Sequence, residues 1–231
     1  MIANNLQQVH ERIARACALA GRPVQSVTLL VVSKTFGPDA VRAAVAAGEH
    51  RFGENYVLEG VEKIAALSDA RTASGMALEW HLIGPLQSNK TRVVAAHFDW
   101  VHSVDRLKIA QRLSEQRPAH LAPLQICLQV NISGESSKSG LRVDEVAKVA
   151  RAVAALPRVA LRGLMAIPEP AADFDAQRAP HRALRALLAQ LQTGGLAALD
   201  TLSIGMSADL DAAIAEGATI VRVGSAIFGA R

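Results

Sequence analysis

The chain alternates. Eight short runs rich in Val, Leu, Ile and Thr recur along it, most of them followed by an Ala- and Leu-rich stretch whose apolar residues fall three and four apart. The runs are 27–32, 50–52, 79–83, 100–102, 124–130, 161–165, 201–204 and 219–223. In several, such as Val27-Thr28-Leu29-Leu30-Val31-Val32, adjacent positions are apolar, which predicts strands covered on both faces of a parallel sheet. Between them, 39–47 carries Val41, Ala44 and Val45, and 143–155 carries Val146, Val149, Ala150 and Val153 before Pro157. A third helical stretch, 180–191, ends before Gly194-Gly195, and a leading one over about 4–20 has no strand before it. Eight such units in 231 residues predict a single (β/α)8 TIM barrel with an extra N-terminal helix, slightly below the usual ~250 residues. An open doubly wound sheet competes, but a regular repeat without a long insertion favours closure. No linker or composition shift divides the chain, so 1–231 reads as one domain.

Half of the residues are hydrophobic, enough to build a core without metals or disulfides. The two cysteines, Cys17 and Cys127, are far apart and read as reduced, buried thiols. The N-terminus lacks a basic and then apolar leader, and no run is long enough to span a bilayer, so a cytoplasmic location is expected with no membrane partner. A net charge of +4 spread along the chain admits a small anionic ligand but makes no nucleic-acid stripe.

In a barrel, chemistry belongs at the C-terminal ends of the strands. Those ends read Ser33-Lys34, Asn55, His81, Ser103, Asn131, Met165, Ser203 and Arg222, polar where the strand interiors are aliphatic. Lys34 would meet low-dielectric walls, which disfavour its charged form and leave an amine able to condense with an aldehyde as a Schiff base. The same residue also suits a lysine snorkelling out of the mouth. After the seventh strand, Ser207 reads as the N-cap of a helix starting near Ala208. After the eighth, Gly224-Ser225 opens a short segment. The Gly224 and Ser225 amides with the Ser207 hydroxyl would cradle a phosphate, where barrels commonly hold one. An aldehyde plus a phosphate fits pyridoxal 5'-phosphate. Arg222 would then face the pyridine nitrogen and keep it unprotonated, making a weak carbanion sink.

Ser33-Lys34-Thr35, Phe52-Gly53-Glu54-Asn55-Tyr56, the block from Trp80 to Lys90, Gly163-Leu164-Met165, Leu202 to Ser207 and Arg222 to Gly229 together resemble the YggS/PROSC family of pyridoxal phosphate homeostasis proteins. The resemblance runs over nearly the whole chain. It implies a fold-type III barrel similar to the N-terminal domain of alanine racemase, with Lys34 as the Schiff-base lysine, Ser207, Gly224 and Ser225 on the phosphate, and Arg222 on the ring nitrogen. Members often carry Thr at the position of Ser225 and Met at that of Ile204; the first exchange keeps the hydroxyl and the second the bulk. Lys138 and Gly140 also match family positions.

Other strand-end residues admit two readings each. Asn55 suits the phenolic oxygen of the cofactor or a neighbouring strand, and Met165 suits a cofactor contact or core. His81 suits a base or a satisfied structural histidine. Asn131 opens a polar loop in which Lys138 is an alternative amine or a solvated charge.

Three functional classes follow. The first is a carrier that holds pyridoxal phosphate for intracellular vitamin B6 homeostasis without strong catalysis, handing it to apo forms of dependent enzymes. The second is a single-domain racemase, which needs a second acid/base across from the lysine. In the similar racemases a tyrosine from a further domain and a partner subunit supplies it. That domain is expected to be absent here, and Tyr56, the only tyrosine, opens the helix after the second strand. The third is a barrel for some other phosphorylated metabolite. A monomer is expected, since no neighbour is needed to complete the site.

Overall fold

The computed structural model describes residues 1–134 and 139–229. Its eight parallel strands close into a barrel in sequence order. They are β1 (Thr28–Val32), β2 (Arg51–Glu54), β3 (Glu79–Leu82), β4 (Trp100–Val104), β5 (Leu124–Gln129), β6 (Val159–Met165), β7 (Thr201–Ser203) and β8 (Ile220–Val223). Closure is made where β1 pairs with β8, Thr28 opposite Ile220 and Val31 opposite Val223. The helices are α1 (Ile2–Leu19), α2 (Pro38–Ala46), α3 (Val57–Ala66), α4 (Thr91–His97), α5 (Leu107–Gln116), α6 (Val143–Ala154), α7 (Phe174–Thr193), α8 (Leu210–Ala215) and α9 (Ser225–Phe228). The barrel reading therefore holds, and the expected strands fall within a few residues of those observed.

The apolar runs are explained by two cores. Leu29 and Val31 of β1 face the helices and join the large outer core, whereas Leu30 and Val32 face the axis. The inner cluster is small: Leu30, Val32, Ile83, Trp100, Cys127, Met165 and Ile220. A strand with helices outside and a filled lumen inside has no face to give to water. Both cysteines are free and buried. Burial pushes the Cys127 thiol up to about 12, so it is an inert neutral group.

Two helix starts differ from the sequence reading. Helix α7 begins at Phe174, with the Asp173 carboxylate accepting the Ala176 N–H at 2.8 Å, and Pro180 lies inside it. Helix α8 begins at Leu210 with Asp209 before it, so Ser207 is no N-cap. Asp209 accepts the Met206 N–H at 2.7 Å instead, closing the preceding turn and leaving the Ser207 side chain to the barrel mouth. Among the described residues, no helix is long and apolar enough to cross a membrane.

Candidate functional site

A cavity of about 390 Å³ opens at the C-terminal mouth of the barrel. It brings together Lys34, Asn55, Ser207, Arg222, Gly224 and Ser225, six of the seven residues expected to bind a cofactor. Val32, Phe36 and Ile83 supply apolar wall. The seventh, Met165, is fully buried in the inner cluster and does not line the cavity, because strand alternation turns its side chain to the lumen. His81 is likewise within β3 and fully buried, away from this mouth. Asn131 lines an adjoining cavity of about 300 Å³ that shares Asn55 and Ile83 with the first. Lys138 lies outside the described residues.

Lys34 is carried on a turn held from both sides. The Phe36 N–H closes the turn on the Ser33 carbonyl at 3.1 Å, and Thr35 has φ 66°. A β-branched residue in the left-handed region is strained and persists only where its surroundings over-determine it. Those surroundings come from α3 and β2. The Thr35 N–H donates to Glu59 Oε1 at 2.5 Å, and Lys63 Nζ donates to the Ser33 carbonyl at 2.7 Å. Lys63, 4% exposed, also reaches Glu54 Oε1 at 2.8 Å and Glu59 Oε1 at 2.7 Å. The Ser33 hydroxyl donates to the same Glu54 oxygen at 2.6 Å. Burial pushes the Glu54 carboxyl up, against the pull of Lys63 and Ser33. The sequence reading missed this cluster; the spacing of four between Glu59 and Lys63 on one helix was its visible signal.

The polar cup beside the Lys34 turn has two lips. Ser207 follows β7 and Ser225 follows β8, and their hydroxyl oxygens stand 3.5 Å apart. The Ile227 and Phe228 N–H groups turn onto the Gly224 carbonyl, and the amides before them have no acceptor within the helix. A Cβ on Gly224 would stand 2.8 Å from the Val32 carbonyl oxygen, so only glycine lets this lip close on β1. Helix α1 holds both lips from behind. Arg12 Nη1 donates to the Ser207 carbonyl at 2.7 Å while its Nη2 donates to Asp211 at 2.6 Å, and Asn5 Nδ2 donates to the Ile227 carbonyl at 2.8 Å. Neither residue had a sequence signal, since each partner is about two hundred positions away.

Arg222 forms the floor. Burial lowers it to about 10, which leaves it charged at neutral pH. Its Nη1 donates to the Ser203 carbonyl and, at 2.9 Å, to the Ser203 hydroxyl; Nη2 donates to the Ala166 carbonyl at 2.9 Å. A guanidinium has five N–H groups, so donors remain for the cavity. Asn55 is fixed in the wall by Gly84: a Cβ there would lie 2.1 Å from the Asn55 carbonyl oxygen, which explains a glycine in the Trp80 to Lys90 block. Asn55 Oδ1 is buried with no hydrogen-bond partner. That orphaned amide, beside two convergent hydroxyls, a buried guanidinium and apolar walls, fits a flat polar ring with an anionic arm.

The family model described as alanine racemase, N-terminal domain, matches residues 4–231. The pyridoxal phosphate homeostasis protein of Pseudomonas aeruginosa is 58% identical over 230 residues, spanning 100% of this chain and 96% of its own. That of Escherichia coli K12 is 52% identical, spanning 100% and 97%. PipY of Synechococcus elongatus, solved with PLP bound, superposes with a TM-score of 0.86 at 36% identity and covers 99% of this chain and 100% of its own. An alanine racemase from Corynebacterium glutamicum, at 18% identity and a TM-score of 0.66, shares the fold over 60% of its length. With that cavity and these relatives, the chain belongs to the YggS/PROSC family of pyridoxal phosphate homeostasis proteins, built on the alanine racemase N-terminal barrel.

Proposed function

We propose that this chain binds pyridoxal 5'-phosphate at the C-terminal mouth of its barrel, as a single barrel domain, and serves intracellular vitamin B6 homeostasis by holding and releasing it. The observation that carries this reading is the convergence of Lys34, Arg222 and the Ser207–Ser225 pair on one cavity with apolar walls. When bound, the cofactor supplies an aldehyde carbon that condenses reversibly with a primary amine. Lys34 brings that amine, on a turn that the Glu54–Lys63–Glu59 cluster keeps from relaxing. Ser207 and Ser225 donate to the phosphate together with the amides of Gly224 and Ser225. Arg222 donates to the ring nitrogen, and because it stays charged at neutral pH it leaves that nitrogen without a proton. Asn55 turns its amide to the phenolic oxygen.

Among the described residues, the cavity lining has no Tyr, His, Cys, Asp or Glu. A carrier therefore suits it better than a racemase, which needs a second acid/base facing Lys34. Tyr56 is half exposed and outside the lining. We place the protein in the cytoplasm as a monomer, with apo forms of dependent enzymes as recipients. The test is direct. Protein incubated with pyridoxal phosphate, reduced with borohydride and digested should carry the phosphopyridoxyl group on Lys34 by mass spectrometry. Modification elsewhere, or none, overturns the assignment.

A further inference from the structure

The lumen of the barrel is not wholly apolar. Ser203, His102, His81 and Glu79 run down it in one unbroken series from Arg222 to the opposite mouth. The Ser203 hydroxyl, which accepts from Arg222 Nη1 at 2.9 Å, is 2.7 Å from His102 Nδ1. His102 Nε2 is 2.9 Å from His81 Nδ1, and His81 Nε2 is 2.8 Å from Glu79 Oε1. Both histidines and Ser203 are buried, and the His81 ring lies on Trp100 with planes 6° apart. Glu79 ends the series in a separate cavity at the N-terminal mouth, with Arg51, Arg162 and Asp200 in its wall.

The carboxylate end settles which way the hydrogens point. A guanidinium can only donate and a carboxylate can only accept. Arg222 occupies a lone pair of Ser203 Oγ, so the hydroxyl hydrogen is available to His102 Nδ1. His102 must then carry its hydrogen on Nε2 and give it to His81 Nδ1. His81 in turn carries its hydrogen on Nε2 and gives it to Glu79. Every bond is satisfied with both rings neutral. The opposite order would bring a bare ring nitrogen against the Glu79 carboxylate.

We infer that this series is a directional wire that positions the Arg222 guanidinium, and that one proton gained by the Glu79–His81 pair reverses it. In the reversed state His81 carries a hydrogen on Nδ1 and gives it to His102 Nε2. His102 carries its hydrogen on Nδ1 and donates it to Ser203. Ser203 Oγ then accepts from both His102 and Arg222, and its own hydrogen rotates away from His102 and gives up that bond. The count is one added proton: His102 gives its Nε2 hydrogen to His81 Nδ1 and takes another on Nδ1, the added charge sits on the Glu79–His81 pair, and Arg222 is unchanged.

The surroundings favour the neutral wire near pH 7. Burial lowers His102 well below the ordinary histidine range, and the charges of His81 and Arg222 push the same way. Burial also lowers His81, against the hydrogen bond and charge of Glu79 and the charge of Asp99, with Arg51 adding to the lowering. Arg162 from β6 pairs with Asp200, and Arg51 from β2 pairs with Glu79 at 3.1 Å. Asp209 faces Arg222 from beside α8, and Cys127 of β5 is neutral beside it.

The wire itself is read on apo-protein, whereas its effect on the ligand rests on the pyridoxal phosphate reading above. The experiment is long-range 15N–1H spectroscopy of 15N-histidine-labelled apo-protein, with His81→Gln and His102→Gln assigning the two rings among the seven histidines. At neutral pH both rings should show hydrogen on Nε2. On acidification, His102 should switch to Nδ1 at the same midpoint at which His81 gains its proton. Glu79→Gln, whose amide can present either end, should leave both tautomers populated. An Nδ1 hydrogen on His102 at neutral pH, or a His102 signal indifferent to the protonation of His81, overturns the inference. With holo-protein, His102→Leu should weaken pyridoxal phosphate binding by about tenfold, whereas unchanged binding would remove the positioning role. Should that variant not fold, the wild-type titration alone decides.

Discussion

The two mouths of this barrel are built from the same strands and differ in how their charges are matched. At the N-terminal mouth, Arg51 pairs with Glu79 and Arg162 with Asp200, and the cavity wall holds two cations and two carboxylates. At the C-terminal mouth, the described residues of the wall include Lys34 and Arg222 and no Asp or Glu. A cleft lined by one sign of charge draws ligands of the opposite sign, and one whose charges cancel does not. The difference teaches that an anionic ligand is selected less by the cations themselves than by where their partners have been placed. Glu54 and Glu59, which contact Ser33 and Thr35 on either side of Lys34, bind Lys63, the Ser33 hydroxyl and the Thr35 amide.

The comparison breaks most completely at Lys34. Lys34→Ala should weaken pyridoxal phosphate binding by about 100-fold, ~2.7 kcal/mol, with residual binding through the two serine lips, measured by fluorescence titration. Gly84→Ala attacks the same mouth without touching a ligand. Its Cβ would collide with the backbone of Asn55, and calorimetry should show a loss of about 3 kcal/mol in stability.

A smaller effect falls on the turn that carries Ser207. Burial raises the Asp209 carboxyl, but hydrogen bonds from His181 and the Met206 amide outweigh it and hold the group below the ordinary carboxylate range. A depressed folded value means a stabilising contribution present above that range and lost as pH falls through the folded value. Asp209→Asn should therefore cost ~1 kcal/mol at neutral pH, with the gap to wild type closing in denaturant titrations carried out at progressively lower pH. The smallest effect belongs to the other mouth. Arg162→Ala removes half-exposed charge pairing, so stability should fall by less than ~1 kcal/mol and pyridoxal phosphate affinity should stay the same. A large loss of affinity there would erase the contrast between the mouths.

Much of this was legible in the chain. A strand covered on both faces must be apolar at successive positions, so β1 and β5 announce themselves, and a polar residue where such a run stops marks a mouth. Lys34 and the Ser207, Gly224 and Ser225 group are readable for that reason. Met165 was misleading because a strand end in sequence does not fix the direction of a side chain, and alternation sends it into the lumen; of the two readings of His81, the satisfied structural histidine is the one the fold shows. The cap position assigned to Ser207 falls on Asp209, two positions on, whose carboxylate bonds the Met206 amide and His181 rather than capping the helix. Arg12 and Asn5 left no trace, since their role exists only once α1 lies against the far end of the chain.

That last contact has a consequence for when the protein becomes competent. Residues from the first helix fasten turns that come some 195 and 222 positions later. A chain made from its N-terminus forward folds its earlier units first, and contacts of such long separation close late. The phosphate cup is therefore finished only after the final strand has found the first, so partially synthesised or C-terminally clipped chains would sequester no vitamin.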